Sequence, residues 1–283
     1  MSKSTGPIVV TGANSRTGLD LLSSLAEQDV EVVAFVRTAQ DLPAHEVVDD
    51  WTRSQRAVDV LAKASAVVHL CGMFAAADWE TYEASMVATT RQVMESVNPA
   101  ARLVYVSYVG ADPTHENWYV RAKGQAEELI RIAGDHVIFR IHAVVGGREA
   151  PAPFELLFRQ QAPGAPVRVI GDGTQRFRPT HSADVLDALT RAALGRGVAG
   201  TYELVGPSEF AVADLPELIN GHRVPVERMP LQRPASVPGP PHTVADLMAH
   251  PMAPTDADTV TKAFGLTLTR PEAHWPIVEP SGP

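Results

Sequence analysis

The first apolar run of the chain leads through two glycines directly into a helical pattern. Residues 8–11 read Ile-Val-Val-Thr, Gly12 and Gly18 follow, and leucines at helical spacing begin at residue 21. This order predicts a strand, a phosphate-binding turn and a helix. Amide groups at such a turn suit the pyrophosphate of a dinucleotide, and glycine lets the backbone approach it without a Cβ in the way. The start of the chain therefore predicts a dinucleotide-binding βαβ unit.

The turn departs from the three-glycine fingerprint at its middle position, which holds Ser15. An ordinary strand-to-helix turn is the alternative interpretation. Residues 30–36 favour the dinucleotide site, because they form a second buried-strand pattern at the distance where a Rossmann unit places its ribose-recognising residue. The turn residues expected to bind the cofactor are Gly12, Asn14, Ser15, Arg16, Thr17 and Gly18.

The residue after the second strand bears on which dinucleotide is bound. An acidic side chain there would accept a hydrogen bond from the ribose 2′-OH of NAD, whereas a guanidinium pairs with the 2′-phosphate of NADP. Arg37 holds this position, and Arg16 could add a second cation at the same phosphate. The sequence therefore favours NADP(H) over NAD(H), with solvated surface arginines as the alternative interpretation.

Composition and charge restrict the class of protein. The 283 residues are 45% hydrophobic and 20% charged, enough for a large core, and the net charge of −9 disfavours nucleic acid as a partner. The sequence has no apolar run near 18 residues and no N-terminal signal pattern, so neither a membrane partner nor secretion is expected. The single cysteine, Cys71, excludes an internal disulfide and agrees with a cytoplasmic location. The ten histidines are scattered, and no metal site is predicted.

Strand and helix patterns alternate along the first half of the chain. This alternation predicts an α/β fold with a Rossmann-type doubly wound parallel sheet. Further strands are predicted at residues 46–50, 66–70, 103–106 and 137–141, and helices at residues 79–97 and 122–133.

The amino-acid composition of the sequence changes after residue 145. Proline and glycine become frequent, and residues 225–254 contain eight prolines, which predicts irregular packed loops and a possible lid there. We therefore expect a dinucleotide-binding Rossmann core over residues 1–145 and a smaller, substrate-covering C-terminal region over residues 146–283.

A second candidate site contains Tyr119 and Lys123, which share one face of a predicted helix. An ammonium beside a tyrosine favours the phenolate and lowers a pKa of about 10 towards the range in which the phenol exchanges a proton with a substrate. The pair follows the strand at residues 103–106 and the loop at residues 107–111. It is therefore expected at the carboxyl end of the sheet, where ligands of open α/β folds bind.

Together these segments resemble the short-chain dehydrogenase/reductase superfamily, in particular its extended and atypical branches. Those branches include sugar-nucleotide epimerases and proteins similar to nitrogen-metabolite repressors and quinone reductases. The resemblance spans most of the chain. It is carried by residues 11–18, 68–72 and 104–107, by Tyr119 with Lys123, by Arg140-Ile141 before Gly146, and by residues 178–185.

The resemblance implies a role for each matching position. Gly12 and Gly18 would contact the pyrophosphate, and Lys123 would hold the nicotinamide ribose and lower the pKa of Tyr119, the general acid or base. The chain would return from the substrate region to the Rossmann sheet over about residues 179–205. The remaining cofactor contacts implied are Arg37 with the adenosine phosphate, Asp50 with the adenine, and Leu70, Cys71 and Gly72 with the nicotinamide ribose side.

Two features depart from the family pattern. Tyr108 stands where the catalytic serine or threonine usually follows the residue equivalent to Ser107, so either Tyr108 or Ser107 could donate the hydrogen bond to the substrate. The interval from Tyr108 to Tyr119 is also short compared with sugar-nucleotide epimerases.

The sequence therefore predicts an NAD(P)-dependent oxidoreductase that acts on a carbonyl, an alcohol or a quinone-like small molecule, as a monomer or homodimer. A sugar-nucleotide epimerase or dehydratase is the alternative enzyme. A regulator that senses NADP without catalysis is the alternative from another class, and the replacement at Tyr108 supports it.

Overall fold

The computed structural model describes residues 6–147, 151–230, 242–249 and 256–275. The strands, in chain order, are β1 (Ile8–Thr11), β2 (Val32–Phe35), β3 (Glu46–Val48), β4 (Ala66–His69), β5 (Arg102–Tyr108), β6 (His136–Ile141), β7 (Val144–Val145), β8 (Val167–Ile170), β9 (Arg176–Phe177), β10 (Thr180–His181), β11 (Gly200–Leu204), β12 (Phe210–Ala211) and β13 (Val226–Met229).

Ten α-helices lie in the described part of the chain. They are α1 (Arg16–Ala26), α2 (Gln55–Leu61), α3 (Trp79–Tyr82), α4 (Thr89–Ser96), α5 (Trp118–Ile130), α6 (Pro153–Phe158), α7 (Ser182–Ala193), α8 (Leu215–Asn220), α9 (His242–Ala249) and α10 (Asp258–Phe264), with a π-helix at Glu83–Ala88 and 3₁₀-helices at Trp51–Arg53 and Pro271–His274. None of the helices in the described part of the chain is long and apolar enough to cross a membrane.

Seven strands form one sheet in the order β11-β6-β5-β4-β1-β2-β3. The pairs β1/β2, β1/β4, β2/β3 and β4/β5 are parallel. Every residue of β1, β2 and β4 is buried, which is the burial expected of parallel strands covered on both faces. The strand order reverses between β1 and β4, as in a Rossmann fold. The predicted Rossmann-type α/β fold is confirmed.

The described residues form two compact units. The first takes the chain up to Arg140 together with Leu186–Glu203 and Thr259–Leu266, and it contains the large sheet. The sequence predicted a return to the sheet at about residues 179–205, but it gave no sign that a later segment also returns. That second return places Phe264 in contact with Phe139, at 5.0 Å between ring centroids, and with Tyr202, at 5.1 Å.

The second unit takes the described residues of Ile141–Val185, of Leu204–Asp258 and from Thr267 onwards. Three two-stranded pairings, β7/β10, β9/β12 and β8/β13, build it. Its buried core includes Val145, Phe158, Val167, Val169, Phe177, Leu215 and Trp275.

The prediction of irregular loops over residues 225–254 is wrong in two places. Residues Val226–Met229 form β13, parallel to β8, and His242–Ala249 form α9. The prolines at positions 225 and 230 flank β13 and do not interrupt it, and a strand end tolerates proline because no ladder donor is lost there. Residues 231–241 and 250–255, which belong to the proposed lid, lie outside the described residues.

Helix α5 is fixed to the first unit by a buried carboxylate. Glu127 is fully buried and accepts two hydrogen bonds from Arg140, at 2.8 Å from Nε to Oε1 and 2.6 Å from Nη2 to Oε2. Arg131 also pairs with Glu127, and Arg140 donates to the carbonyl oxygen of Ala111 at 3.2 Å. The network therefore ties α5, β6 and the loop after β5 together.

We predict that Glu127→Ala lowers the free energy of unfolding by about 3 kcal/mol, because the mostly buried Arg140 guanidinium loses its counter-charge. Denaturant unfolding would measure the change. Glu128→Ala is the matched control, since the neighbouring side chain is exposed and its loss should stay within about 0.5 kcal/mol. Equal effects of the two substitutions would contradict the assignment of Glu127 as the anchor of α5.

Candidate functional site

The turn after β1 is built around Gly12 and Ser15. Gly12 has a φ of +63°, and a Cβ placed on it would lie 3.1 Å from the carbonyl carbon and oxygen of Leu70. Ser15 is the N-cap of α1, and its Oγ accepts a hydrogen bond from the amide of Gly18 at 3.1 Å. The serine at the middle position of the fingerprint therefore has a structural role, because it caps the helix that begins at Arg16.

Gly18 lies where α1 packs against the turn. A Cβ on this residue would lie 2.5 Å from the carbonyl oxygen of Ala13, so only glycine fits. The first amides of a helix have no intrahelical acceptors and carry the positive end of the helix dipole. The backbone at this turn is therefore open to close approach and suited to an anion, as a dinucleotide pyrophosphate requires.

A cleft of about 860 Å³ begins at this turn and lies within the first unit. Seven of the residues predicted to bind a cofactor line it: Gly12, Asn14, Ser15, Arg37, Leu70, Cys71 and Gly72. The residues at its walls include one guanidinium, that of Arg37, two residues after the end of β2. The size of the cleft, the glycine turn and the cation fit a dinucleotide.

Five predicted cofactor residues are absent from the lining of this cleft: Arg16, Thr17, Gly18, Asp50 and Lys123. The side chain of Arg16 is exposed on α1. Asp50 has a left-handed backbone, with a φ of 39°, and its side chain is 60% exposed and lies 4.0 Å from Arg53. Asp50 therefore does not line the cleft, whereas the next residues, Trp51 and Thr52, do, and its role at the adenine stays a prediction.

The opposite wall of the cleft was not predicted. It comes from the helical stretch that starts at Trp79 and contributes Glu80, Thr81, Ala84, Ser85 and Thr89, with Asp78 just before it. The spacing of Thr81, Ser85 and Thr89 by four residues was visible in the sequence, and it could have marked one polar helix face. The π-helix within this stretch has no sequence signal that we recognise.

Tyr119 lies in the first turn of α5, which begins at Trp118, four residues before the predicted start. The side chain of Asn117 caps this helix by accepting hydrogen bonds from the amides of Tyr119 and Val120. Three aromatic rings surround that of Tyr119, with centroid distances of 5.2 Å to Phe74, 5.3 Å to Tyr108 and 6.2 Å to Tyr82. The tyrosine is therefore enclosed mainly by aromatic groups.

Burial raises the pKa of Tyr119 well above its ordinary value, and the neighbouring Tyr108 and Tyr82 add to the shift. The expectation that Lys123 lowers this pKa is therefore wrong for this structure. The Lys123 Nζ lies 5.9 Å from the centroid of the Tyr119 ring, so desolvation of the phenolate outweighs its attraction to the ammonium. Tyr119 is a protonated phenol at neutral pH.

Lys123 is buried and lies on the same helix as Tyr119. Its Nζ donates a hydrogen bond to the carbonyl oxygen of Val106 at 2.8 Å and lies 4.8 Å from the centroid of the Tyr105 ring. A Cβ on Gly72 would be 3.7 Å from this nitrogen, so Lys123 reaches the loop that lines the cleft. Burial lowers the pKa of Lys123 to about 8, although the nearby Glu127 opposes the shift.

The two candidate hydroxyl donors on β5 differ in their surroundings. Because side chains alternate along a strand, Ser107 lies on the face of Tyr105 and Tyr108 lies on the opposite face. The Tyr108 ring contacts Tyr119, whereas the Ser107 Oγ is buried and has no hydrogen-bond partner among the described residues. The structure therefore brings Tyr108 to Tyr119. Burial raises the pKa of Tyr108, which keeps its phenol protonated.

Cys71 lines the cleft, and burial raises the pKa of its thiol. The side chain of Thr11 and the positive charges of Arg37 and Lys123 oppose this shift without reversing it. A protonated thiol is a poor nucleophile, which agrees with the interpretation of Cys71 as a small packed residue.

Part of this chain matches a known protein family, and most of it aligns with a curated relative. Residues 12–145 match a family described as NAD(P)H-binding. NADH dehydrogenase (ubiquinone) 1 alpha subcomplex subunit 9, a mitochondrial protein of Arabidopsis thaliana, is 27% identical over 231 residues, covering 74% of this chain and 56% of the relative. The chain therefore spans little more than half the length of that relative.

Solved structures share the fold over nearly the whole chain. A UDP-glucuronic acid 4-epimerase from Bacillus cereus in complex with NAD has a TM-score of 0.72 at 17% identity, covering 94% of this chain and 95% of that one. The Bordetella bronchiseptica enzyme WbmH in complex with NAD⁺ has a TM-score of 0.72 at 20% identity, covering 95% of both chains. Residues 12–145 thus match an NAD(P)H-binding domain, which agrees with the predicted dinucleotide-binding Rossmann core.

We predict that Gly12→Ala costs about 1–2 kcal/mol of stability, because the residue is held in the left-handed region. The same change should weaken NADH binding, since the added methyl group meets the backbone of Leu70. Thermal unfolding and cofactor fluorescence would measure the two effects. Gly134→Ala is the control, because no atom lies within 4 Å of its added Cβ. Unchanged binding in Gly12→Ala would contradict this account of the turn.

The depressed pKa of Lys123 predicts how stability depends on pH. Between pH 8 and the ordinary lysine value of 10.5, the unfolded chain binds more protons at this residue than the folded chain. The contribution of Lys123 to the free energy of unfolding therefore rises with pH across this interval and is unfavourable below it. Denaturant unfolding from pH 7 to pH 10 should show the wild type gaining stability relative to Lys123→Met.

The exposed Lys63 offers the matched control, because Lys63→Met should follow the wild-type curve. If the wild type and Lys123→Met run parallel over the whole interval, the ammonium of Lys123 is not desolvated in the folded protein.

Proposed function

We propose that this protein is an NAD(P)-dependent oxidoreductase of the extended or atypical short-chain type, which interconverts a carbonyl and an alcohol or reduces a quinone-like small molecule. The observation that carries the proposal is the position of Tyr119, a protonated phenol among aromatic rings. Its neighbour Phe74 directly follows residues 70–73, which line the dinucleotide cleft. A proton donor therefore stands beside the loop along which a nicotinamide ring would be bound.

In this proposal, different residues of the first unit bind different parts of the cofactor. Gly12, Asn14 and Ser15 hold the pyrophosphate, Arg37 pairs with a 2′-phosphate, and residues 70–72 support the nicotinamide ribose. Lys123 contributes its amine to the same ribose. Gly18 acts by letting α1 approach the turn, and Thr17 lies in the first turn of that helix. When bound, the nicotinamide supplies or accepts the hydride.

Tyr119 acts in the carbonyl-reducing direction as the general acid, because its hydroxyl keeps a proton that it can give to the substrate oxygen. The rings of Phe74, Tyr82 and Tyr108 limit the access of water to that hydroxyl. Tyr108 replaces the usual serine or threonine and donates a second hydrogen bond to the substrate oxygen. We assign the choice of substrate to the region from residue 146 onwards.

The aromatic surroundings favour an apolar carbonyl or quinone over a sugar. Phe74 is 50% exposed beside Tyr119, and Met73 and Trp118 are also exposed. Such surfaces bind planar apolar rings well, whereas sugars need hydrogen-bonding partners. A sugar-nucleotide epimerase or dehydratase is the second candidate, favoured by structural neighbours solved in complex with UDP-glucuronic acid and NAD.

We predict that Arg37→Gln weakens NADPH binding by at least about tenfold and leaves NADH binding unchanged, because only NADPH carries the 2′-phosphate. Titration followed by cofactor fluorescence would measure both affinities. Arg53→Gln is the control, since Arg53 is exposed and does not line the cleft. An equal loss for both cofactors would contradict the assigned role of Arg37, and the same affinity for both in the wild type would remove the preference for NADP(H).

We predict that Tyr119→Phe lowers turnover by about 10²–10⁴-fold, because the phenol proton is lost while the ring is kept. Cofactor affinity should not change. The assay follows NAD(P)H consumption with aldehydes, ketones and quinones, with UDP-glucose and UDP-glucuronic acid in parallel. Tyr202→Phe serves as the control, because that hydroxyl bonds only to Val198 in the described residues.

The other outcomes separate the candidates. Conversion of a UDP-sugar without net consumption of cofactor would favour the epimerase. Tight NADPH binding without turnover of any substrate, in the wild type and in Tyr119→Phe alike, would overturn catalysis. This result would favour the regulator that senses NADP.

A further inference from the structure

A chain of hydrogen bonds runs through the buried interior of the first unit behind the cofactor cleft. His69, the last residue of β4, has no exposed surface. Its Nδ1 lies 2.8 Å from the Oγ1 of Thr11, and its Nε2 lies 3.0 Å from the Oγ1 of Thr90. Thr11 and Thr90 are equally buried, so water does not compete for these bonds.

The bond from Thr90 to Met86 fixes which imidazole nitrogen carries the proton. The Thr90 hydroxyl donates to the carbonyl oxygen of Met86 at 2.7 Å, so its oxygen must accept from His69. The proton of the imidazole therefore sits on Nε2, and Nδ1 accepts from the hydroxyl of Thr11. The oxygen of Thr11 in turn accepts from the amide of Leu70 at 3.2 Å. The Leu70 amide also donates to the carbonyl oxygen of Thr11 at 3.3 Å, and with a neutral ring every donor in the chain has an acceptor.

The two ends of this chain lie in opposite walls of the cleft. Thr11 directly precedes the Gly12 turn, and Leu70 begins the loop that lines one wall. Met86 belongs to the π-helix, whose residues Ala84 and Ser85 line the other wall. The walls also meet directly, since a Cβ on Gly72 would lie 3.3 Å from the Met86 side chain. His69 therefore joins the two walls from inside the first unit.

We propose that His69 is a positioning residue that sets the width of the dinucleotide cleft, by tying the Gly12 turn and the Leu70 loop to the π-helix through one directed chain of hydrogen bonds. His69 does not touch the cofactor in this proposal. It acts through the atoms that do, and the chain as described contains a neutral ring. Burial and the charge of Lys123 keep it neutral, since they lower the pKa of His69 to about 3.

The tautomer gives a test in the unmodified protein. Nitrogen-15 NMR of the histidine rings should show one buried ring with its proton on Nε2 and no titration between pH 5 and pH 8. A proton on Nδ1, or a ring that titrates in this interval, would overturn the directed chain. This measurement needs no cofactor and no variant. It therefore tests the direction of the hydrogen bonds at His69 independently of the reaction.

The link to the cleft is tested with two substitutions at Thr90. Thr90→Val keeps the shape and removes the hydroxyl, and we expect it to weaken NADH and NADPH binding alike by about tenfold. Thr90→Ser keeps the hydroxyl and should retain wild-type affinity. Thermal unfolding would verify that both variants are folded.

Equal weakening by the two substitutions, or affinities within twofold of the wild type in folded Thr90→Val, would overturn the positioning role. The proposal rests on the cofactor cleft and not on the proposed oxidoreductase activity. Normal cofactor binding without turnover would therefore contradict only the activity.

Discussion

The structure of the site depends on the close contact between the Gly12 turn and the end of β4. The backbone of Gly12 approaches the Leu70 carbonyl so closely that a methyl group would lie only 3.1 Å from it. This contact lies where the strand order of the sheet reverses, which is the place where open α/β sheets bind ligands. The cleft, the first turn of α1 and the Leu70 loop all take their positions from it.

Desolvation dominates the chemistry of the groups around this contact. It keeps the phenols of Tyr119 and Tyr108 protonated, lowers the pKa of Lys123 and holds the ring of His69 neutral. A charged pair was expected at Tyr119 and Lys123, but both side chains are buried and the ammonium is too far from the ring to offset the cost of a phenolate. Tyr119 and Tyr108 are therefore protonated phenols at neutral pH.

The parallel strands could be predicted because their valine-rich runs are buried on both faces, and the Gly12 turn because it joins two such patterns. The return of Phe264 to the first unit could not be predicted, because an isolated apolar residue does not reveal its partners Phe139 and Tyr202. The exposed position of Asp50 depends on one left-handed backbone angle, which the sequence does not indicate. The pKa of Tyr119 depends on three rings brought together only by the fold.

A crystal structure of the protein with NADPH tests the central claim most directly. We expect the pyrophosphate at the turn of residues 12–18, the 2′-phosphate at the guanidinium of Arg37 and the nicotinamide beside residues 70–73, on the side of Tyr119. A dinucleotide bound elsewhere, or bound in this cleft with its nicotinamide directed away from Tyr119, would contradict the account of how this fold serves its function.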